Sequence, residues 1–205
     1  MTVMKIGADH FIEGVRRDLI VGGASMLVRR ALVIHFTAGA SGASSIAAMR
    51  ERGVSAHLVI ERDGTVVQCR AFNVTADHAG TSRWREPSSG TKFTGLNSCS
   101  IGIEIANAGG DAGALAWARK QPGFASIRAR HRNGGPEQEW EAFSTAQLAA
   151  VFEAARALVL RYRLDDITGH DCIAPERKAD PGPAFPMQLL REHCGFTGLP
   201  AVHRT

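Results

Sequence analysis

Residues Ile167 to Phe185 gather six side chains able to do chemistry into one short, turn-rich segment: His170, Asp171, Cys172, Glu176, Lys178 and Asp180. Pro181, Gly182 and Pro183 follow the last carboxylate, and the two prolines stiffen the backbone around it. Imidazole and carboxylate are good zinc ligands, and a lysine close by is a ready electrostatic group. Far upstream, His35 and Glu104 offer a second imidazole and a further carboxylate. Metal-assisted hydrolysis takes three protein ligands and one position for water, which makes His35, His170 and Asp180 a candidate set. They are distant in sequence, and the chain has neither a His-Glu-x-x-His helix nor a zinc-finger spacing. On spacing alone, a core histidine near a strand end and polar residues in a turn explain the same letters better.

The elements that would position these groups are legible in part. Ala31 to Phe36 is an apolar run of strand length, with Val33, His35 and Thr37 on one face and Leu32, Ile34 and Phe36 on the other. Ser100 to Ala106 alternates more clearly: Ile101, Ile103 and Ile105 face one way, Gly102, Glu104 and Ala106 the other. His35 and Glu104 thus both project opposite an apolar face. His57 to Ile60 and Thr65 to Arg70 read as strands joined through Asp63-Gly64, a strong hairpin signal. Ser45 to Arg52 reads as a helix stopped by Gly53, and Ser144 or Thr145 caps a longer helix to about Tyr162. A last helix runs from Pro186 to His193. Residues 1–30 read as an irregular lead-in and 71–97 as a long loop. Residues 107–140, with Arg119, Lys120, Arg128, Arg130 and Arg132 close together, read as an insertion or long loop on the surface with room for a short helix. Strands with interspersed helices imply one α/β domain over residues 1–205, built on a small mixed sheet.

The totals bound the function classes. At 205 residues, 44% hydrophobic and 21% charged, the composition is that of an ordinary globular domain. A net charge of +4 favours anionic partners but is far weaker than a dedicated basic arm, so nucleic acid is not an expected partner. Cys69, Cys99, Cys172 and Cys194 are scattered without a Cys-x-x-Cys, and free thiols in a reducing compartment are expected. No secretory signal and no run of about 20 apolar residues is present, which implies cytoplasmic synthesis and no membrane partner.

Several blocks resemble the zinc-dependent N-acetylmuramoyl-L-alanine amidases, the family whose fold is shared with peptidoglycan recognition proteins. They are Val33-Ile34-His35-Phe36-Thr37, residues 54–60, residues 63–68, His78-Ala79-Gly80, residues 97–104, Gly169-His170 and Lys178-Ala179-Asp180-Pro181-Gly182-Pro183. Each is weak alone. Together, in the family's order over about residues 31–190, they are specific. The resemblance implies a central mixed sheet flanked by helices and one Zn2+ per chain, held by His35, His170 and Asp180. It implies Glu104 as the group that activates water and Lys178 as the stabiliser of the oxyanion. His78 and Asn97 are expected to line the peptide-binding groove, and His57 to be structural. Cys172 is a lesser alternative as third ligand, and Asp171 is expected to point away from the metal. The implied substrate is peptidoglycan or soluble (anhydro)muropeptides, cut between N-acetylmuramic acid and L-alanine by a monomer. Cytoplasmic recycling of muropeptides is the leading role. The rivals are a phage-type endolysin released from the cytoplasm and a non-catalytic peptidoglycan-binding module. The insertion at 107–140 departs from the recycling members of the family.

Overall fold

The computed structural model describes residues 4–203. In chain order the elements are β1 (Arg16–Arg17), β2 (Ala31–Phe36), α1 (Gly42–Arg52), β3 (Leu58–Ile60), β4 (Val66–Gln68), β5 (Arg83–Arg85), β6 (Lys92–Thr94) and β7 (Ser100–Ile105). Then follow α2 (Ala112–Ala118), β8 (Ser126–Arg130), β9 (Glu137–Glu141), α3 (Thr145–Tyr162), β10 (Asp166–Gly169), the single turn α4 (His170–Ile173) and α5 (Met187–His193). Six strands form one mixed sheet in the order β1-β4-β3-β7-β2-β10. Only the β3–β4 hairpin, turning through Asp63-Gly64, is antiparallel.

The alternation in β2 and β7 sorts side chains between two layers. Leu32, Ile34, Ile101, Ile103 and Ile105 join Val151, Ala155, Leu158 and Leu190 of α3 and α5 in the main core. Helix α3 starts where the cap predicts: Ser144 and Gln147 form a reciprocal capping box. Helix α1 ends on Gly53, whose φ of 65° suits glycine. The opposite face of the sheet is covered in two pieces. Ile46 and Met49 of α1 pack on Val59 and Val67, while Ala79, Trp84, Leu96 and Ile173 pack on Ala31 and Val33. His35 and Glu104 occupy the uncovered gap between the pieces, near the carboxyl ends of parallel strands, where open α/β sheets bind ligands.

Two stretches differ from the sequence reading. Within 71–97, β5 and β6 pair as a short hairpin that buries Trp84. The Trp84 indole N–H donates to Asp166 at 3.0 Å, and Arg191 holds the same buried carboxylate from α5. Residues 107–140 are not an irregular loop. They form α2 and the β8–β9 hairpin of two five-residue strands, anchored by buried Trp140. Two members of the basic cluster pair there: Arg119 with Glu139, and Arg128 with Glu137. No helix among the described residues is long and apolar enough to cross a membrane.

Candidate active site

Strand order brings the distant groups together. β2 lies between β7 and β10, and all three run parallel. His35 and Glu104 are register partners one residue before the ends of β2 and β7, and His170 follows the last residue of β10. Asp180 returns to them because its backbone C=O accepts the Asp171 N–H at 2.7 Å. His35 Nδ1 lies 2.8 Å and His170 Nδ1 3.0 Å from the same oxygen, Asp180 Oδ2. All three residues are buried.

The protons around this trio can be assigned from their partners. His170 Nε2 lies 3.1 Å from the Ala79 carbonyl, an acceptor only, so that nitrogen carries the proton. Arg177 also approaches it at 3.4 Å, but that guanidinium nitrogen already donates to Ala79 O and Thr81 O. When the ring is neutral, its Nδ1 therefore turns a lone pair toward Asp180. His35 follows by a longer chain. The Ser100 hydroxyl donates to Leu96 O, so His78 Nε2 must donate to Ser100 O, which leaves His78 Nδ1 an acceptor. His35 Nε2, 3.0 Å away, is then the donor, and its Nδ1 is also a lone pair facing Asp180. Burial first, then the neighbouring His170, pushes the His35 imidazole down to about 4, against the pull of Asp180, so a neutral ring is the stable form. With both rings neutral, two lone pairs and an anionic oxygen converge. A bound cation satisfies all three, and the donor set of two imidazoles and one carboxylate suits a divalent metal.

Glu104 stands beside the trio, its Oε1 4.0 Å from His35 Nδ1. Its other oxygen is buried without a hydrogen-bond partner among the described residues. Burial, and then the charge of Asp180, lifts this carboxyl well above the ordinary glutamic acid range, while Lys178 draws it back. Lys178 is half-buried and lines the same cavity of about 610 Å³, together with Glu104, His78, His170, Asp180 and the Met49 and Arg52 side of α1.

The remaining sequence candidates land in different places. His78 does reach the cavity wall, but its ring is engaged with His35 and sits over Gly102, where a Cβ would come within 2.5 Å of the imidazole. Asn97 does not line the cavity. Its amide oxygen accepts the His78 and Ala79 N–H groups at 3.2 and 2.7 Å, so it shapes the loop that carries His78 and the Ala79 carbonyl. His57 bridges the Val74 carbonyl and the Gly102 N–H. Cys172 is buried outside the trio, with Arg132 donating to its sulfur. Asp171 is buried and faces His131, for which the sequence offered no role. Gly102 was likewise missed; the only signal is a glycine in an otherwise isoleucine-rich strand.

The fold and this trio define the chain's class, and comparison with known proteins gives the family. Residues 26–183 match the family model described as N-acetylmuramoyl-L-alanine amidase. The chain belongs to that family. It is 31% identical over 184 residues to the N-acetylmuramoyl-L-alanine amidase AmiD of Escherichia coli (strain K12), covering 85% of this chain and 56% of that protein. It is 37% identical over 140 residues to the 1,6-anhydro-N-acetylmuramyl-L-alanine amidase AmpD of Citrobacter freundii, covering 67% of this chain and 56% of that one. The chain thus spans about half the length of these relatives. The solved complex of E. coli AmiD with the substrate anhydro-N-acetylmuramic acid-L-Ala-D-gamma-Glu-L-Lys superposes with a TM-score of 0.61 at 27% identity, over 94% of this chain and 66% of that one.

Proposed function

We propose that the protein is a zinc-dependent amidase that hydrolyses the bond between N-acetylmuramic acid and the L-alanine of a stem peptide. The observation that carries this reading is the convergence of two imidazole nitrogens and a carboxylate oxygen beside a glutamate one of whose oxygens is buried without a hydrogen-bond partner among the described residues. His35, His170 and Asp180 would hold one Zn2+, which when bound supplies a Lewis acid and an acidified water. Glu104 is placed to take a proton from water and return it to the leaving alanine nitrogen. Its raised proton affinity suits that exchange better than an ordinary surface carboxylate would. Lys178 sets a positive charge on the cavity wall, where it would offset the negative charge developing on the scissile carbonyl oxygen. Asn97 and His78 keep the Ala79 carbonyl and the His35 proton chain in place. One chain supplies every group, so the working unit is proposed to be a monomer.

Lys178→Met keeps the stem and removes the charge. It is expected to lower kcat by about 10²- to 10³-fold, the range for loss of one oxyanion donor. Unchanged kcat, measured at saturating substrate with full metal content, would remove Lys178 from the mechanism.

A non-catalytic peptidoglycan-binding module is the second reading. Against it stands Glu104, whose buried, unpartnered oxygen is costly for a surface that only binds. Mass analysis of a defined anhydromuropeptide after incubation separates the two: release of the free stem peptide is expected, and retention without cleavage would favour the binding module. Running whole sacculi beside the soluble fragment then sorts recycling in the cytoplasm from wall lysis of the endolysin kind. The names of the AmpD relatives support the soluble anhydro substrate.

A further inference from the structure

The ligand-bearing segment has little regular structure of its own. His170 opens α4, a single turn of four residues, and the chain from Ala174 to Pro186 is without strand or longer helix. A helix this short leaves its carbonyls without intrahelical partners. The His170 C=O accepts the Ala174 N–H at 2.9 Å. The next two carbonyls are satisfied from outside. Asn133 Nδ2 donates to Asp171 O at 2.7 Å, and the His203 N–H donates to Cys172 O at 2.8 Å.

Asn133 sits in the turn of the β8–β9 hairpin, between Arg130 and Glu137. Its neighbours act on the same turn of helix. His131 Nε2 lies 3.2 Å from Asp171 Oδ2, and Arg132 donates to Cys172 Sγ at 3.0 Å. At the hairpin's base the Trp140 ring packs against Gly182, where an added Cβ would meet it at 3.0 Å. The hairpin therefore grips the ligand segment at both ends, next to His170 and just past Asp180. Asp171 joins the two grips, since its own N–H holds the Asp180 carbonyl.

We propose that the β8–β9 hairpin is a clamp that sets the spacing of His170 and Asp180, with Asn133 as the positioning residue for the metal trio. This rests on the reading of that trio as a metal site. Without the clamp the carbonyl of Asp171 loses its donor, the turn of α4 relaxes, and the two ligands lose the fixed separation that a preformed site needs. Partners one step behind the ligands commonly tune metal affinity by 10- to 100-fold.

The test is a zinc(II) titration against a chromophoric chelator, with thermal unfolding of the metal-free chain measured in parallel. Asn133→Ala and the near-isosteric Asn133→Asp both remove the donor to Asp171 O. Each is expected to weaken zinc binding about tenfold while the unfolding midpoint of the metal-free chain stays with that of the unaltered protein. Arg128→Ala, which breaks only the exposed pair with Glu137 on the same hairpin, is the control and is expected to bind zinc normally. Zinc affinity in both Asn133 variants equal to that of the unaltered protein overturns the clamp and leaves the metal site standing. So does a loss that Arg128→Ala reproduces, or one matched by a fall in the metal-free midpoint. An unaltered protein that binds no zinc overturns both.

Discussion

Glu104→Gln is expected to keep its metal and to slow amide hydrolysis by about 10²- to 10⁴-fold, the range for loss of a positioned acid–base group. Glutamine preserves the shape of the side chain beside His35 but cannot accept and return a proton. The pH dependence follows from the raised proton affinity of this carboxyl, caused first by burial and then by Asp180. Activity needs the ionised form, and a divalent cation on the trio would offset the charge of Asp180 and favour that form, so the raised value belongs to the metal-free chain. In that chain the effect is on stability. When Glu104 is protonated in both the folded and unfolded chains, it imposes no ionisation cost. As pH rises from the unfolded value toward the folded one, the unfolded chain ionises first and stability is lost. The amide of the Glu104→Gln variant cannot ionise, so in the metal-free state that variant should unfold later than the parent above that range and match it at acid pH. Full metal content with undiminished turnover in Glu104→Gln would remove the residue from its role.

Metal removal is expected to abolish turnover while leaving the fold intact. The trio lies in the gap between the two coverings of one sheet face, and the main core behind the other face owes nothing to it. A chelated sample should keep its far-ultraviolet circular dichroism, lose activity to background, and recover it on addition of zinc. Binding should also weaken toward acid pH, since protons compete for the Nδ1 lone pairs of His35 and His170. Burial holds the His35 ring neutral down to about 4, so this competition begins low for that ligand. A chain shown to hold no metal, yet active at the original rate, would end the assignment.

The hairpin at 126–141 shows where the sequence was hard to read. Ser126–Arg130 and Glu137–Glu141 do alternate, with every charge on one face and Ile127, Ala129, Gln138 and Trp140 on the other, but that second face is short, includes a polar residue and leaves Ile127 exposed, so it is a weak strand signal. Only Trp140 and its neighbour Glu141 are deeply buried there, and two adjacent residues give no period. Asn97 was placed on the groove for its neighbourhood in the family blocks, yet its amide is spent on two backbone N–H groups 18 and 19 residues upstream. Such a contact leaves no trace in local spacing. The β2 and β7 patterns, the Asp-Gly hairpin and the capped α3 were legible because each depends on neighbours a few residues away.

Local alternation was enough to say which side chains point out of an apolar strand face, and so it marked His35 and Glu104 as exceptions. The order of letters also supplied, in one stiff segment, His170, Lys178 and Asp180. Their meeting came only with the folded chain. Strand order β7-β2-β10, all parallel, sets three carboxyl ends side by side, and the Asp171–Asp180 backbone contact folds the last ligand onto them. Only then do the lone pairs face one another at 2.8 and 3.0 Å, because proton positions are set by carbonyls and a hydroxyl that lie far from the ligands in the chain.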